Sequence, residues 1–357
     1  MVGCKSTLHF VSNIFRSLQR HRLPCRPYPE YSSSVTTSVA REMSDSEVTL
    51  QNDENPPERQ GVISRTFLGS SNLEKMGYKL TLNTEETVAT VTMPGLSVED
   101  FDRDGNPRIT SLMHVVVCMR FFANHKPLDK SGRTFCDYAK LTNDSYSFMA
   151  SVAIETDQGM YDRTVSKWPL SFQFQIGYVG KSSLSSIGTL TAPSTGQKLM
   201  HIITQVVYIN KATRRPMPLP DWWRGKYANV AISNEPLIVQ RTARPADTHV
   251  FKVTVMWTDT DNYNHTTWTS YVQFCINAMH DGIKKGFYKN VSKEVVQMGL
   301  RKIRMGFTGE NLEGDELIVH SWESAEDNTA VCFEIENTDG EVVFHTMLGY
   351  PSILARI

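Results

Sequence analysis

The chain has 357 residues, 37 lysines and arginines against 38 aspartates and glutamates, and a formal net charge of −1. This length suits two domains with a sizeable core, and the balanced charge argues against a nucleic-acid-binding protein, whose affinity comes from neutralising phosphates. No apolar run is long enough for a transmembrane helix. The six cysteines have neither C-x-x-C nor histidine spacing, so the sequence predicts reduced cysteines, no metal site and no cofactor.

The N-terminal segment differs from the rest of the chain in charge. Residues 1–41 hold six basic residues and one acid, and a helical wheel separates their apolar from their basic side chains. A basic, amphipathic, acid-poor N-terminus is typical of a transit peptide. We therefore expect residues 1–43 to be a transit peptide or a disordered tail, and the protein to reside in the mitochondrial matrix or another organelle reached by such a peptide, with the cytoplasm as the alternative. Residues 44–60 are acidic and contain proline, which predicts a linker.

Two segments of the remaining chain resemble each other. Asp100 and Asp102 stand in a D-x-D pair, and the second aspartate is followed eight residues later by Thr-Ser. Asp259 and Asp261 form a pair with the same spacing to Thr-Ser. Each pair precedes a long apolar stretch of helical character, the first from about Ile109 to Ala123. We therefore predict an N-terminal domain over residues 61–227, a linker over 228–246 and a C-terminal domain over 247–357.

A second pair of similar segments lies further along the chain. Residues 175–184 and 304–313 share the pattern apolar-Gly-aromatic-x-Gly, and each is expected to open a series of alternating strands. Asn-Thr-Asp-Gly at 337–340 predicts a hairpin turn between two such strands. Two similarities in the same order indicate duplication of one unit. Each unit is predicted to contain a strand, a polar turn, one apolar helix and an antiparallel sheet that wraps around the helix.

This arrangement resembles the hotdog fold, and two such units in one chain resemble the plant and bacterial acyl-acyl-carrier-protein thioesterases over about residues 62–355. That family has the pattern D-x-D-x-N-x-H before its second helix. Here Asp259 and Asp261 match the acids and His265 matches the histidine, while Tyr263 stands in place of the asparagine. Residues 206–227 are similar to the Arg-Arg exit of the family's first unit. The resemblance implies the α+β class, as a tandem (double) hotdog with one long helix in each half.

The resemblance also implies a catalytic set of Asp261, His265, Glu310 and Asn264. Asp261 or Glu310 would position the attacking water, and His265 would orient it, accept a proton or stabilise charge. Asn264 or Asn262 would supply the amide that the family uses. Asn311 is the alternative to Glu310, because either falls just ahead of a Gly-Asp turn.

The residues themselves indicate how a thioester would be activated. Backbone N–H groups at a helix that begins near Thr267 would hold the oxyanion. The alternative role of Asp261 is to cap that helix. Cys275 lies inside an apolar helix, which disfavours it as a nucleophile.

The first unit is expected to hold the acyl chain, because it has Asn106 at the position equivalent to His265. Its helix residues Met113, Val117 and Phe121 would set the chain-length preference, or are ordinary core residues. Basic residues after the second helix would attract a pantetheine phosphate or an acidic carrier protein, or are a solvated surface. The predicted substrate-binding set is Asn262, Tyr263, Thr267, Met113, Val117, Phe121, Lys284 and Lys285.

The predicted function is hydrolysis of fatty acyl thioesters, carried by acyl-carrier protein or CoA, to a free fatty acid and a thiol. A hotdog hydratase or dehydratase of acyl thioesters is one alternative, and a non-catalytic acyl- or acyl-carrier-binding protein, made credible by Tyr263, is the other. Hotdog sheets often pair edge to edge, so the fold is compatible with a homodimer.

Overall fold

The structure of the protein is a computed structural model that describes residues 70–261 and 263–352. The predicted transit peptide, the acidic linker and Asn262 lie outside the described residues. In the ranges that are described, no helix has the length and apolar character needed to cross a membrane.

The elements follow the predicted order of strand, helix and antiparallel strands in each half. The first half contains α1 (Ser70–Lys75), β1 (Lys79–Leu82), β2 (Val88–Met93), α2 (Ile109–His125), α3 (Tyr138–Leu141), β3 (Ser145–Thr156), β4 (Leu170–Val179), β5 (Ser183–Ala192), β6 (Gln197–Asn210) and α4 (Asp221–Tyr227). The second half contains β7 (His249–Thr254), α5 (Trp268–Lys284), α6 (Lys293–Gln297), β8 (Lys302–Phe307), β9 (Glu316–Glu323), β10 (Ala330–Glu336) and β11 (Val342–Gly349). The hairpin turn predicted at 337–340 is confirmed, because it joins β10 to β11.

All described strands form one antiparallel sheet of 11 strands, in the order β1-β2-β4-β5-β6-β3-β8-β11-β10-β9-β7. The strand before each long helix lies toward an outer edge, and the strand after the helix, β3 or β8, lies at the centre. The two halves have the same internal order, β2-β4-β5-β6-β3 and β7-β9-β10-β11-β8. They join where β3 pairs with β8, for example Val152 with Met305. This connectivity confirms the tandem hotdog.

The helices α2 and α5 pack against one face of this sheet. In α2 the side chains of Leu112, Val116 and Met119 are fully buried, at the i, i+4, i+7 spacing of a single helix face. Phe172 and Phe174 alternate along β4 on the facing side of the sheet and are also buried. The two helices therefore share one apolar core with the sheet and are held in fixed positions relative to it.

The D-x-D turns of the two halves have the same local structure, as their sequence similarity predicts. In the first half, Asp102 Oδ1 accepts the backbone N–H of Asn106 at 2.9 Å. In the second half, Asp261 Oδ1 accepts that of His265 at 3.1 Å. Both long helices have 17 residues and begin at the same distance after their turns, so positions in α2 and α5 correspond one to one.

The predicted structural equivalence of the second pair of similar segments is wrong. Residues 175–184 lie on β4 and β5, whereas 304–313 lie on β8 and the connection to β9, and the first-half counterpart of β8 is β3. Each segment needs its glycine for a different local reason. A Cβ on Gly177 would approach Ser185 Oγ to 2.5 Å, and one on Gly306 would approach His345 Nε2 to 2.2 Å.

The linker between the halves crosses the sheet on the face opposite the helices. The backbone N–H of Ser233 donates to the Gly177 carbonyl at 2.6 Å, and Ser151 Oγ donates to the Leu237 carbonyl at 2.6 Å. Further along, Arg241 ion pairs with the buried Glu334 of β10. The linker thus runs from β4 over the central strands to the second half.

Candidate active site

The candidate site forms where three segments meet: the D-x-D turn ahead of α5, the connection between β8 and β9, and the loop after β6. The turn and the connection are paired, because Thr266 donates its backbone N–H to the Asn311 carbonyl at 2.8 Å. The connection carries Glu310, and the loop after β6 carries Arg214. Residues from both halves of the chain therefore reach the same place.

His265, Glu310 and Arg214 form one cluster of side chains. His265 Nε2 lies 3.6 Å from Glu310 Oε2 and 3.4 Å from Arg214 Nη2. Arg214 also ion pairs with the same Glu310 oxygen. The His265 side chain is 16% exposed and that of Glu310 is 27% exposed, so the cluster is held by protein on one side and open to a ligand or water on the other. The structure brings His265 and Glu310 together, and their catalytic roles stay a prediction.

Asp261 shapes the turn that presents His265. Its Oδ1 accepts the backbone N–H groups of Tyr263 at 2.8 Å and of His265 at 3.1 Å. The helix cap is a different residue, because Thr267 Oγ1 accepts the N–H of Ser270 at 3.1 Å. The capping role considered for Asp261 is therefore wrong, and the contacts of its carboxylate position the histidine.

Two further predicted residues lie in this turn. Asn264 has a φ of 61°, a left-handed conformation that asparagine tolerates better than most residues. Tyr263 is 45% exposed, and its ring meets that of Tyr146 edge-on at 5.1 Å. Tyr263, which replaces the expected asparagine, thus lies beside the cluster and contacts the aromatic ring of Tyr146.

The first half supplies a cation and an aromatic surface that the sequence did not indicate. Tyr146 and Phe148 of β3 stack at a centroid distance of 5.4 Å. The Arg214 guanidinium lies over both rings, at 5.6 and 4.9 Å from their centroids. Phe148 also meets the His265 ring edge-on at 5.8 Å. Arg214 fell within the segment similar to the family's Arg-Arg exit, but nothing in the sequence indicated that it contacts His265.

The start of α5 provides donors for a developing negative charge. Thr267 caps the helix, and its backbone N–H donates to the Asp259 carbonyl at 2.8 Å. The next N–H groups, those of Trp268 and Thr269, have no partner within the helix. Thr269 Oγ1 lies 3.0 Å from His114 Nε2 of α2, a contact that the sequence did not predict. Burial lowers the pKa of His114, which favours its neutral form.

Asn311, the alternative to Glu310, has a structural role in the connection between β8 and β9. It is buried, and its Oδ1 accepts the hydroxyl of Tyr271 at 2.9 Å. Its Nδ2 donates to Asp315 at 3.3 Å. These bonds hold the β8–β9 connection against α5, so Asn311 supports the connection while Glu310 reaches the cluster.

The predicted substrate-binding residues are dispersed. Met113 is fully buried, and Val117 is 39% exposed. Phe121 stacks on His125 at 4.3 Å. Lys284 and Lys285 lie at the end of α5, about 25 Å along the helix from its start, and the structure does not bring them to the cluster. Lys285 forms an ion pair with Asp281 at 2.7 Å.

A cysteine nucleophile and a metal ion would be two other chemistries. The Cys275 thiol is fully buried, and burial raises its pKa, which opposes thiolate formation. The described part of the chain contains no group of three or more histidine, cysteine, aspartate or glutamate side chains arranged to hold a metal ion.

Comparisons with known proteins agree with the architecture. No protein-family model matches the chain, and no curated protein matches its sequence. Among solved structures, an acyl-ACP thioesterase from Bacteroides thetaiotaomicron is similar with 18% identity and a TM-score of 0.55, over 76% of this chain and 100% of that one. The 12:0-ACP thioesterase from Umbellularia californica is similar with 15% identity and a TM-score of 0.56, over 74% and 97% of the chains.

A protein described as an oleoyl thioesterase from Lactobacillus plantarum has 14% identity and a TM-score of 0.58, over 76% of this chain and 99% of that one. At such identities the similarity establishes a shared fold. The resemblance to double-hotdog acyl-ACP thioesterases is thus confirmed at the level of the fold.

Proposed function

We propose that this protein hydrolyses fatty acyl thioesters of CoA or acyl-carrier protein to a free fatty acid and a thiol. The observation that supports the proposal is the cluster of His265 and Glu310 beside the start of α5. A carboxylate, an imidazole and helix N–H groups together meet the needs of water attack on an activated carbonyl. The structural neighbours described as thioesterases have the same fold. The basic N-terminus supports location in the mitochondrial matrix as part of this proposal.

The proposed reaction begins with the thioester carbonyl oxygen at the first turn of α5. The N–H groups of Trp268 and Thr269 stabilise the negative charge that develops on this oxygen. Glu310 accepts a proton from water as the water oxygen bonds to the carbonyl carbon. The carbon–sulfur bond then breaks, and the proton returns to the leaving thiolate by way of His265. No covalent acyl-enzyme intermediate is required.

Arg214 has a positioning role in this reaction. Its guanidinium fixes the orientation of Glu310 by an ion pair and is itself held against Tyr146 and Phe148. A base held in a single orientation is more effective, because misplacement of a reacting group by about 1 Å can cost a hundredfold in rate.

The test is thiol release from acyl-CoA and acyl-carrier protein, assayed side by side with the purified full chain. We expect His265→Ala and Glu310→Gln to lower kcat by at least about a hundredfold, the usual scale for a lost acid or base. Asp261→Ala should lower it as well, because the turn that presents His265 loses two hydrogen bonds. Asn106→Ala, the equivalent change to His265→Ala in the first half, is the matched control and should leave turnover intact.

Full activity of His265→Ala and Glu310→Gln would refute this assignment of the site. Loss of enoyl absorbance without thiol release would indicate hydration instead. Tight binding of acyl ligands without turnover by the wild type would indicate a non-catalytic binding protein.

A further inference from the structure

A partly buried arginine lies in the first half, away from the His265 cluster. Arg120 is on α2, and its Nε atom is inaccessible to solvent and has no hydrogen-bond partner among the described residues. No carboxylate in the described ranges ion pairs with it. Burial lowers the pKa of Arg120, yet arginine remains charged at neutral pH.

A small cavity with a mostly apolar lining and a few polar groups adjoins this guanidinium. It has a volume of about 30 Å³ and lies between α2 and the strands β4, β5 and β6. Arg120, Asn124 and Trp223 line it together with a pair of hydroxyls, Ser186 Oγ and Thr204 Oγ1, which are 2.8 Å apart. This volume holds about two water molecules, which is the size of a carboxylate group.

In the second half, the position equivalent to Arg120 is occupied by an apolar residue. Because α2 and α5 correspond position by position, Arg120 is equivalent to Met279, and Asn124 is equivalent to Ile283. Met279 is fully buried in the core. The fold therefore packs at this position without a cation, and a guanidinium whose Nε is buried without a partner costs stability that methionine does not. An anionic ligand would supply the missing partner.

The position of Arg120 relative to the His265 cluster indicates which ligand this is. His114 of α2 contacts Thr269 at the start of α5, where the thioester carbonyl is proposed to bind. Arg120 lies six residues further along α2, about 9 Å along the helix axis. Val117 lies between them and is partly exposed. A medium-length acyl chain that follows α2 from the start of α5 would reach Arg120 with its far end.

We propose that the cavity at Arg120 is a carboxylate-binding subsite for the far end of the acyl chain, so that the preferred substrates are thioesters of dicarboxylic acids. This inference rests on the proposed function. The planar guanidinium can donate two parallel hydrogen bonds to one carboxylate, and the hydroxyls of Ser186 and Thr204 can serve its remaining lone pairs. A methyl-terminated chain would leave the arginine unpaired, which favours the carboxylated chain.

The test compares substrates that differ only at the far end: suberyl-CoA against octanoyl-CoA, and sebacyl-CoA against decanoyl-CoA. Thiol release is measured with the full chain, as wild type and as Arg120→Met, which introduces the residue of the second half. We expect the wild type to favour the carboxylated substrate by at least about tenfold in kcat/KM, the effect of one charge-assisted hydrogen bond, and Arg120→Met to favour the methyl-terminated one. The same preference in both proteins would overturn the proposal.

A binding measurement separates this inference from the proposed function. We expect free sebacate and decanoate, each of which carries a carboxylate at the end of a chain, but not acetate, to raise the melting temperature of the wild type and not that of Arg120→Met. If no thioester is hydrolysed but sebacate still stabilises the wild type, the subsite stands and the proposed function fails. If thioesters are hydrolysed but sebacate has no effect, the subsite fails. Equal stabilisation by acetate would show a site for free carboxylates and overturn the assignment to the chain end.

Discussion

Arg214→Met tests the contribution of the first half to the site of the second. The substitution removes an ion pair between groups that are about one-third exposed, worth about 1 kcal/mol. It also removes cation–π contacts with two rings, worth about 0.5–1 kcal/mol each. We expect a loss of about 2 kcal/mol in the free energy of unfolding, or a fall of about 5 °C in melting temperature.

The effect of Arg214→Met on turnover should exceed its effect on stability. Because Glu310 loses the group that fixes its orientation, we expect kcat to fall by about ten- to a hundredfold with little change in KM. Steady-state kinetics and thermal melts on the same samples separate the two effects. Arg215→Met is the matched control, since Arg215 is the exposed neighbour and should leave both quantities unchanged.

The double variant Arg214→Met/Glu310→Gln completes this test. If Arg214 acts through Glu310, the double variant should be no slower than Glu310→Gln alone. Equal kcat values for Arg214→Met and Arg215→Met, or fully additive losses in the double variant, would refute the reasoning.

Three further predictions concern stability and location. Burial and the nearby Arg241 lower the pKa of His345 to about 4, so its neutral form stabilises the fold above the unfolded pKa of about 6.5. Denaturant melts should show this contribution lost between pH 6.5 and 4, and the loss should be absent in His345→Gln. Gly306→Ala should destabilise by about 1–3 kcal/mol, because its Cβ would meet the His345 ring, whereas Gly225→Ala, in a helix with open space around it, should stabilise by about 0.5–1 kcal/mol. Residues 1–43 fused to a fluorescent protein should direct it to mitochondria; a cytosolic signal would contradict the predicted transit peptide.

The duplicated fold and part of the candidate site were predictable from local sequence. The D-x-D turns could be recognised because an aspartate that accepts backbone N–H groups a few residues later leaves a short, fixed spacing. That spacing also located the helix start at Thr267. Glu310 was indicated only by the family resemblance, as one of two neighbours. The structure distinguishes it from Asn311, because the Glu310 side chain reaches Arg214 and His265 while that of Asn311 bonds Tyr271.

The remaining part of the site depends on contacts between distant segments. Arg214, Tyr146 and Phe148 approach His265 because β3 pairs with β8, and no local pattern specifies which strands of two units will pair. The similarity of residues 175–184 and 304–313 led to a wrong prediction of equivalent strands for a related reason. A glycine next to an aromatic residue reflects crowding by a neighbouring strand, and such crowding occurs on strands that are not equivalent.

The linker on the sheet face opposite the helices makes the two halves one polypeptide. The halves can therefore differ in sequence, which two copies of one chain cannot. In a homodimer of a single hotdog unit, every substitution occurs in both copies, so one copy cannot acquire a cation at a core position while the other keeps methionine there. In the fused chain, Asn106 and His265 occupy equivalent turns with different chemistry. Arg120 and Met279 likewise differ at equivalent helix positions. Tethering thus allows a symmetric framework to carry different side-chain chemistry on its two sides.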